Sequence, residues 1–140
     1  MSASKVFLDT NIIVYAYDRT AARKHDVAGD ILVEAWNSGN GVISTQVLQE
    51  LFVTLTRKIP NPLTIPETRK MIVDFLKWDV VILNGDTILD AIDIHAKHKF
   101  SFWDSMVVSA ALQGGADLLY TEDLHGITID GLTVKNPFDI

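Results

Sequence analysis

Short apolar runs alternate with longer amphipathic stretches along this chain, a pattern that predicts strands and helices in alternation. Val6-Phe7-Leu8 is wholly apolar and stops abruptly at Asp9-Thr10-Asn11, as a short buried strand does. The run from Ile12 to Tyr17 follows too closely, and is too long, to be a hairpin partner; Thr10 and Asn11 initiate helices well, so a strand–loop–helix step is expected. In open α/β sheets the loop of such a step lies in the crevice at the strand's carboxyl end, where ligands bind.

The pattern continues in the same order. Arg19 to His25 reads as a polar connection, followed by an amphipathic helix with Val27, Ile31, Leu32, Ala35 and Trp36 on one side, ended by Gly39-Asn40-Gly41. Val42-Ile43-Ser44 is a second strand, and Ser44 or Thr45 caps a helix whose stripe is Val47, Leu48, Leu51, Phe52 and Leu55, with Glu50 on its flank. Pro60-Asn61-Pro62 breaks the chain, and Thr64 to Glu67 is a capping box that opens a helix burying Met71, Ile72, Phe75 and Leu76. Val80 to Leu83 is a third strand, followed by a helix that runs to about His98. Ser101-Phe102-Trp103-Asp104 opens another, apolar on nearly every side through Leu112 and therefore expected to be central, and Gly114-Gly115 ends it. Leu118-Leu119-Tyr120 is a fourth strand, and Leu132-Thr133-Val134 supplies a fifth at the sheet's edge. The expected fold is α/β, a single domain over residues 1–140, with a mainly parallel central sheet of about five strands and helices on both faces.

Composition narrows the function classes. A chain of 140 residues, 48% hydrophobic and 21% charged, has an ordinary globular balance and is long enough for one core. No apolar run approaches the roughly 18 residues of a membrane helix, and Met1-Ser2-Ala3-Ser4-Lys5 lacks the apolar core of a signal peptide, so a cytoplasmic protein without membrane contact is expected. The absence of cysteine excludes disulfides and thiolate metal sites; oxygen and imidazole ligands remain, which favours hard cations. A net charge of −6 argues against a nucleic-acid binder, because affinity for phosphates comes mostly from Lys and Arg. That argument weakens if the acids cluster around metal ions.

Four acids fall where such a cluster forms. Asp9 and Asp123 stand just beyond strand ends, Asp104 in the first turn of a helix, and Glu50 on a helix that follows a strand directly. In a doubly covered parallel sheet all of these positions share one edge. Like charges about 4 Å apart repel by roughly 4 kcal/mol at an effective dielectric of 20, so converging acids need a cation, and Mg²⁺ or Mn²⁺ suits oxygen donors best. Carboxylates holding one or two such ions are common machinery for attack of water on a phosphodiester. Each acid also has a plain structural reading. Asp104 follows Ser101 at capping-box spacing, Glu50 is the kind of acid that lies solvated on a helix flank, and Asp123 sits in a turn. Asp9, at the end of an apolar run, is the hardest to explain structurally.

Phe7-Leu8-Asp9-Thr10-Asn11, Gln49-Glu50-Leu51, Phe102-Trp103-Asp104-Ser105 and Tyr120-Thr121-Glu122-Asp123-Leu124, in this order, resemble the PIN-domain ribonucleases, most of all the small VapC-like toxins of toxin–antitoxin pairs. The resemblance spans nearly the whole chain. It implies that Asp9, Glu50, Asp104 and Asp123 form the catalytic metal site, that Asn11 and Thr121 support it, and that Mg²⁺ or Mn²⁺ is the cofactor. It further implies endonucleolytic cleavage of structured RNA, a homodimer, and a cognate antitoxin as partner. Ser105 stands where the family commonly has alanine. Two divalent ions would cancel the four acids' charge, and Lys97 and Lys99, just before the loop that carries Asp104, are the favoured phosphate contacts ahead of Arg19, Arg23 and Lys24.

Other readings are weaker. A haloacid-dehalogenase-like phosphatase would use Asp9 as nucleophile but needs a second Asp where Asn11 stands. A signalling receiver domain needs an acidic pair after the first strand, and Asp9 has no acidic neighbour. A non-catalytic RNA-binding domain is a further alternative. His95 and His98 lack a third ligand nearby in sequence, His125 reads as a loop residue, and Trp36, Trp78 and Trp103 read as packing residues, with Phe102 and Trp103 as alternative base-stacking groups.

Overall fold

A computed structural model describes residues 4–124 and 126–139; the reading of the N-terminal residues 1–3 and that of His125 lie outside the described residues. Strands β1 (Val6–Leu8), β2 (Gly41–Ser44), β3 (Asp79–Val81), β4 (Leu118–Tyr120), β5 (Ile127–Ile129) and β6 (Leu132–Lys135) form one sheet in the order β3-β2-β1-β4-β6-β5. All neighbours are parallel except the β5–β6 hairpin. The helices are α1 (Thr10–Tyr17), α2 (Arg23–Ser38), α3 (Thr45–Arg57), α4 (Ile65–Phe75), α5 (Gly85–His98) and α6 (Phe102–Gln113).

The α/β class and mainly parallel sheet are as expected, with three corrections. The sheet has six strands rather than five, because Ile127–Ile129 turns through Asp130 (φ 48) and Gly131 (φ 87) and pairs back on β6. Leu132–Lys135 is consequently an interior strand, and β5 takes the edge. The third strand runs from Asp79 to Val81 instead of Val80 to Leu83: Ile82 leaves the sheet and is 72% exposed. Arg19–Ala21 forms a 3-10 turn, and α2 starts at Arg23, inside the stretch read as a connection.

Local chemistry accounts for most helix starts. Ser44 accepts a hydrogen bond from Val47 N at 3.2 Å, and Thr64 accepts one from Glu67 N at 3.2 Å. Asn84 and Thr87 form a reciprocal capping box at the start of α5, and Ser101 caps α6 through Asp104 N. Helix α6 buries seven consecutive residues, Ser105 to Ala111, and is central as its composition predicts. Its two buried hydroxyls are satisfied, Ser105 by Ser101 O and Ser109 by Thr87 O, each at 2.9 Å. The core gathers on β1 and β2, where Phe7, Leu8, Val42 and Ile43 are within 1% of full burial; complete burial of such side chains stabilises by about 1.5–3 kcal/mol each.

Strand order fixes where the crevice falls. From β1 the chain builds outward through β2 to β3, then crosses back to place β4 on the other side of β1. The switch point is therefore between β1 and β4, at their carboxyl ends.

Candidate active site

Register alone brings two residues together at that point. Leu8 pairs with Tyr120, so the next residues, Asp9 and Thr121, leave adjacent strands side by side. Asp9 N donates to Tyr120 O at 3.0 Å, and the Thr121 hydroxyl donates to Asp9 Oδ2 at 2.8 Å. Asp9 is also the N-cap of α1, where Oδ1 accepts from Thr10 N at 2.7 Å. Only 6% of its surface is exposed. Burial, helped by the charges of Asp123 and Glu50, raises its carboxyl to about 6 against the lowering effect of these two hydrogen bonds.

The other acids converge on Asp9 to different degrees. Asp123 lies in the loop after β4, with its N–H donating to Thr121 Oγ1 at 3.2 Å and Oδ2 accepting from Asn11 Nδ2 at 3.3 Å. Its carboxyl is raised by partial burial, then by the charges of Asp104 and Glu122. Electrostatic coupling thus links Glu50 to Asp9, Asp9 to Asp123, and Asp123 to Asp104. Asp104 uses its backbone N–H for the α6 cap, and its carboxylate makes no hydrogen bond or ion pair among the described residues. Capping therefore accounts for the start of the helix and leaves the side chain available. Glu50 is exposed on α3 and its carboxylate is similarly unpaired among the described residues.

The donor set fits a hard divalent ion. It contains carboxylates, plus two buried oxygens on the first turn of α1, Thr10 Oγ1 and Asn11 Oδ1, that have no hydrogen-bond partner; such orphaned acceptors call for a ligand, a proton donor or a water. Among the described residues no three His, Asp or Glu side chains stand close enough together to hold a metal ion among them. Mg²⁺ is commonly held by one or two carboxylates, with water and phosphate oxygens completing its octahedron, and an open arrangement suits that chemistry. A cavity of about 530 Å³ near Tyr17, Arg19, His25 and Asn61 contains none of the four acids.

Lys97 and Lys99 are exposed at the end of α5. Arg23 donates to Phe138 O at 3.0 Å and Lys24 pairs with Glu122 at 2.6 Å, so both already serve internal contacts. His95 Nδ1 meets Phe100 O, and His98 stacks on the Phe100 ring. Trp36 and Trp78 pack with Phe75, whereas Trp103 is 66% exposed beside Phe102 and is not part of the core. Glu122, which binds Tyr15 and Lys24, and the orphaned Thr10 oxygen lie inside two of the motifs quoted above, but neither has a role at the site in the sequence reading.

Known proteins carry the same frame. Solved structures that resemble this chain include a toxin–antitoxin complex from Klebsiella pneumoniae (TM-score 0.68, 21% identity, covering 98% of this chain and 100% of that one). DNA-bound VapBC from Salmonella typhimurium is similar (TM-score 0.64, 17% identity, 96% and 99% covered), as is the sarcin–ricin loop cleaving toxin VapC20 from Mycobacterium tuberculosis (TM-score 0.60, 16% identity, 82% and 87% covered). At these identities the likeness is one of fold. A sequence search of curated proteins finds no match. The family model for the PIN domain, however, matches residues 6–129, a span that contains Asp9, Glu50, Asp104 and Asp123, and the chain belongs to the PIN domain family.

Proposed function

We propose that this chain is a Mg²⁺- or Mn²⁺-dependent endoribonuclease that cleaves structured RNA by metal-activated water, and that it is the toxin of a toxin–antitoxin pair. The observation that best supports this reading is the buried Asp9, tied to Thr121 at the switch point, whose carboxyl is raised to about 6 mainly by burial and, to a smaller extent, by the charges of Asp123 and Glu50. Asp9, Asp104, Asp123 and Glu50 would hold the ion. When bound, it supplies Lewis-acid activation of the attacking water and neutralises charge at the leaving oxygen.

The chain's own groups set the geometry. Thr10 N and the Thr121 hydroxyl fix the two oxygens of Asp9, with the positive end of the α1 dipole favouring its ionised form. A phosphatase that used Asp9 as nucleophile would also need a second Asp where Asn11 stands. Asn11 steers Asp123 through its amide. Lys97 and Lys99 are free to meet phosphates at the rim, and the exposed Trp103 offers an apolar ring next to Asp104.

A cognate antitoxin is the expected protein partner, as in the matching complexes from Klebsiella and Salmonella. A homodimer in the cytoplasm completes the proposal; exposed Ile88, Leu89 and Ile92 on α5 give it an apolar surface. The test is cleavage of structured RNA with Mn²⁺ by the native chain and by Asp9→Asn. Metal-dependent products with 5′-phosphate and 3′-hydroxyl ends are expected, and the variant should lose at least about a hundredfold in rate. Undiminished cleavage by the folded variant would remove the assignment.

A further inference from the structure

The loop that carries Asp123 faces a mechanical problem. Asp104 and Glu122 both repel Asp123, the residue is exposed, and its carboxylate has one 3.3 Å hydrogen bond, from Asn11. The neighbouring residue is held far more firmly. Glu122 Oε1 accepts from the Tyr15 hydroxyl at 2.9 Å, and Oε2 pairs with Lys24 Nζ at 2.6 Å. Tyr15 lies four residues after Asn11 on α1, so one side of that helix grips the loop at two successive residues.

Three further contacts keep the grip in place. The Lys24 ammonium lies 5.0 Å from the Tyr15 ring centre and 5.6 Å from that of Phe138, and Tyr15 meets Phe138 edge to face at 5.3 Å. Arg23 anchors Phe138 through its carbonyl oxygen. The turn that delivers Arg23 and Lys24 passes through Ala22 at φ 54, ψ −120, a backbone region unfavourable to an L-residue, and so needs surrounding contacts to hold it.

We infer that Tyr15, Glu122 and Lys24 form a positioning clasp that holds Asp123 toward Asp9 and Asp104 against their mutual repulsion, so that the cation site is assembled before the ion arrives. This inference rests on the metal-site reading above and goes beyond it by assigning work to three residues that are not ligands.

Two substitutions separate a clasp from simple electrostatics. Lys24→Met removes a positive charge near the acids; if charge alone mattered, Mn²⁺ would bind more tightly. Tyr15→Phe removes one oxygen and no charge. For a positioning role, both variants weaken Mn²⁺ binding by on the order of three- to tenfold, the worth of one such contact, and Lys24→Arg restores it. Binding is read without RNA, from the free-Mn²⁺ electron paramagnetic resonance signal of the full chain, and melting in EDTA verifies that each variant is folded. Equal or tighter binding by Lys24→Met overturns the inference. Should that variant melt below the assay temperature, unchanged affinity in Tyr15→Phe overturns it instead. No Mn²⁺ binding by the native chain would overturn the metal-site reading, and the inference with it.

Discussion

Asp9 shows how one residue serves structure and chemistry with opposite consequences for stability. Its folded carboxyl titrates at about 6, above the ordinary value of 3.8, so the folded chain holds a proton there more tightly than the unfolded chain does. The metal-free protein therefore gains stability from this group at low pH and loses it as pH rises from about 4 through 6, on the order of 3 kcal/mol in all. Urea unfolding in EDTA between pH 4 and 8 should show a steeper slope in the native chain than in Asp9→Asn, which keeps only the contribution of the raised Asp123 carboxyl and at pH 7 should be the more stable of the two by about 1–3 kcal/mol. Lys99 is a second residue whose conformation is informative. It ends α5 at φ 65, where glycine is the favoured cap. Lys99→Gly should stabilise the fold by about 1 kcal/mol in thermal melts while weakening RNA binding, as expected if the lysine is retained for phosphate contact.

At the level of elements, close packing decides what the strands tolerate. A Cβ at Gly41, the first residue of β2, would lie 2.4 Å from the Trp78 ring, which is itself packed against Trp36 and Phe75. Gly41→Ala should lower the urea midpoint by the equivalent of about 1–3 kcal/mol and alter tryptophan fluorescence. Gly29→Ala, in the interior of α2 with open space around it, should instead stabilise by roughly 1 kcal/mol. Elements with strong periodicity were legible in the sequence. Helix α6 announced its burial through an unbroken apolar body, and β1 announced its end through the step from Leu8 to Asp9. Strand β5 was not legible, since Ile127-Thr128-Ile129 is three residues long and half exposed. The Asp130-Gly131 turn was its only signal, and two positive φ angles there make the hairpin. Ile82 misled for the opposite reason: an apolar residue at a strand's end read as a strand, although the chain had already left the sheet.

Across the whole molecule, Asp9, Asp123 and Asp104 were legible as residues that follow or open a regular element, while Glu50 lies within α3 and was marked mainly by the family resemblance. The clasp was not legible, since Tyr15 and Glu122 are 107 residues apart and neither repeats in a pattern. Net charge says little about where charge sits: Asp123 and Glu50 act on Asp9, and Asp104 on Asp123, while Lys97 and Lys99 are exposed at the end of α5. The outer side of α5 invites a second copy. Leu89 is 61% exposed, with Ile88 and Ile92 beside it. Sedimentation of the native chain is expected to show a dimer, and Leu89→Lys with Ile92→Lys should shift it to monomer without reducing helix content; a native monomer at every concentration would refute the dimer.

The pairing of Asp9 with Thr121 spans 112 residues. During translation, β1 leaves the ribosome long before β4, the neighbour that completes its carboxyl end, has been made. A nascent or prematurely terminated chain ending short of residue 121 therefore lacks Thr121 and the acid at 123, and such a product should leave cellular RNA intact. The Asp9–Thr121 corner is therefore assembled all at once, late in synthesis, when the last interior strands join the sheet.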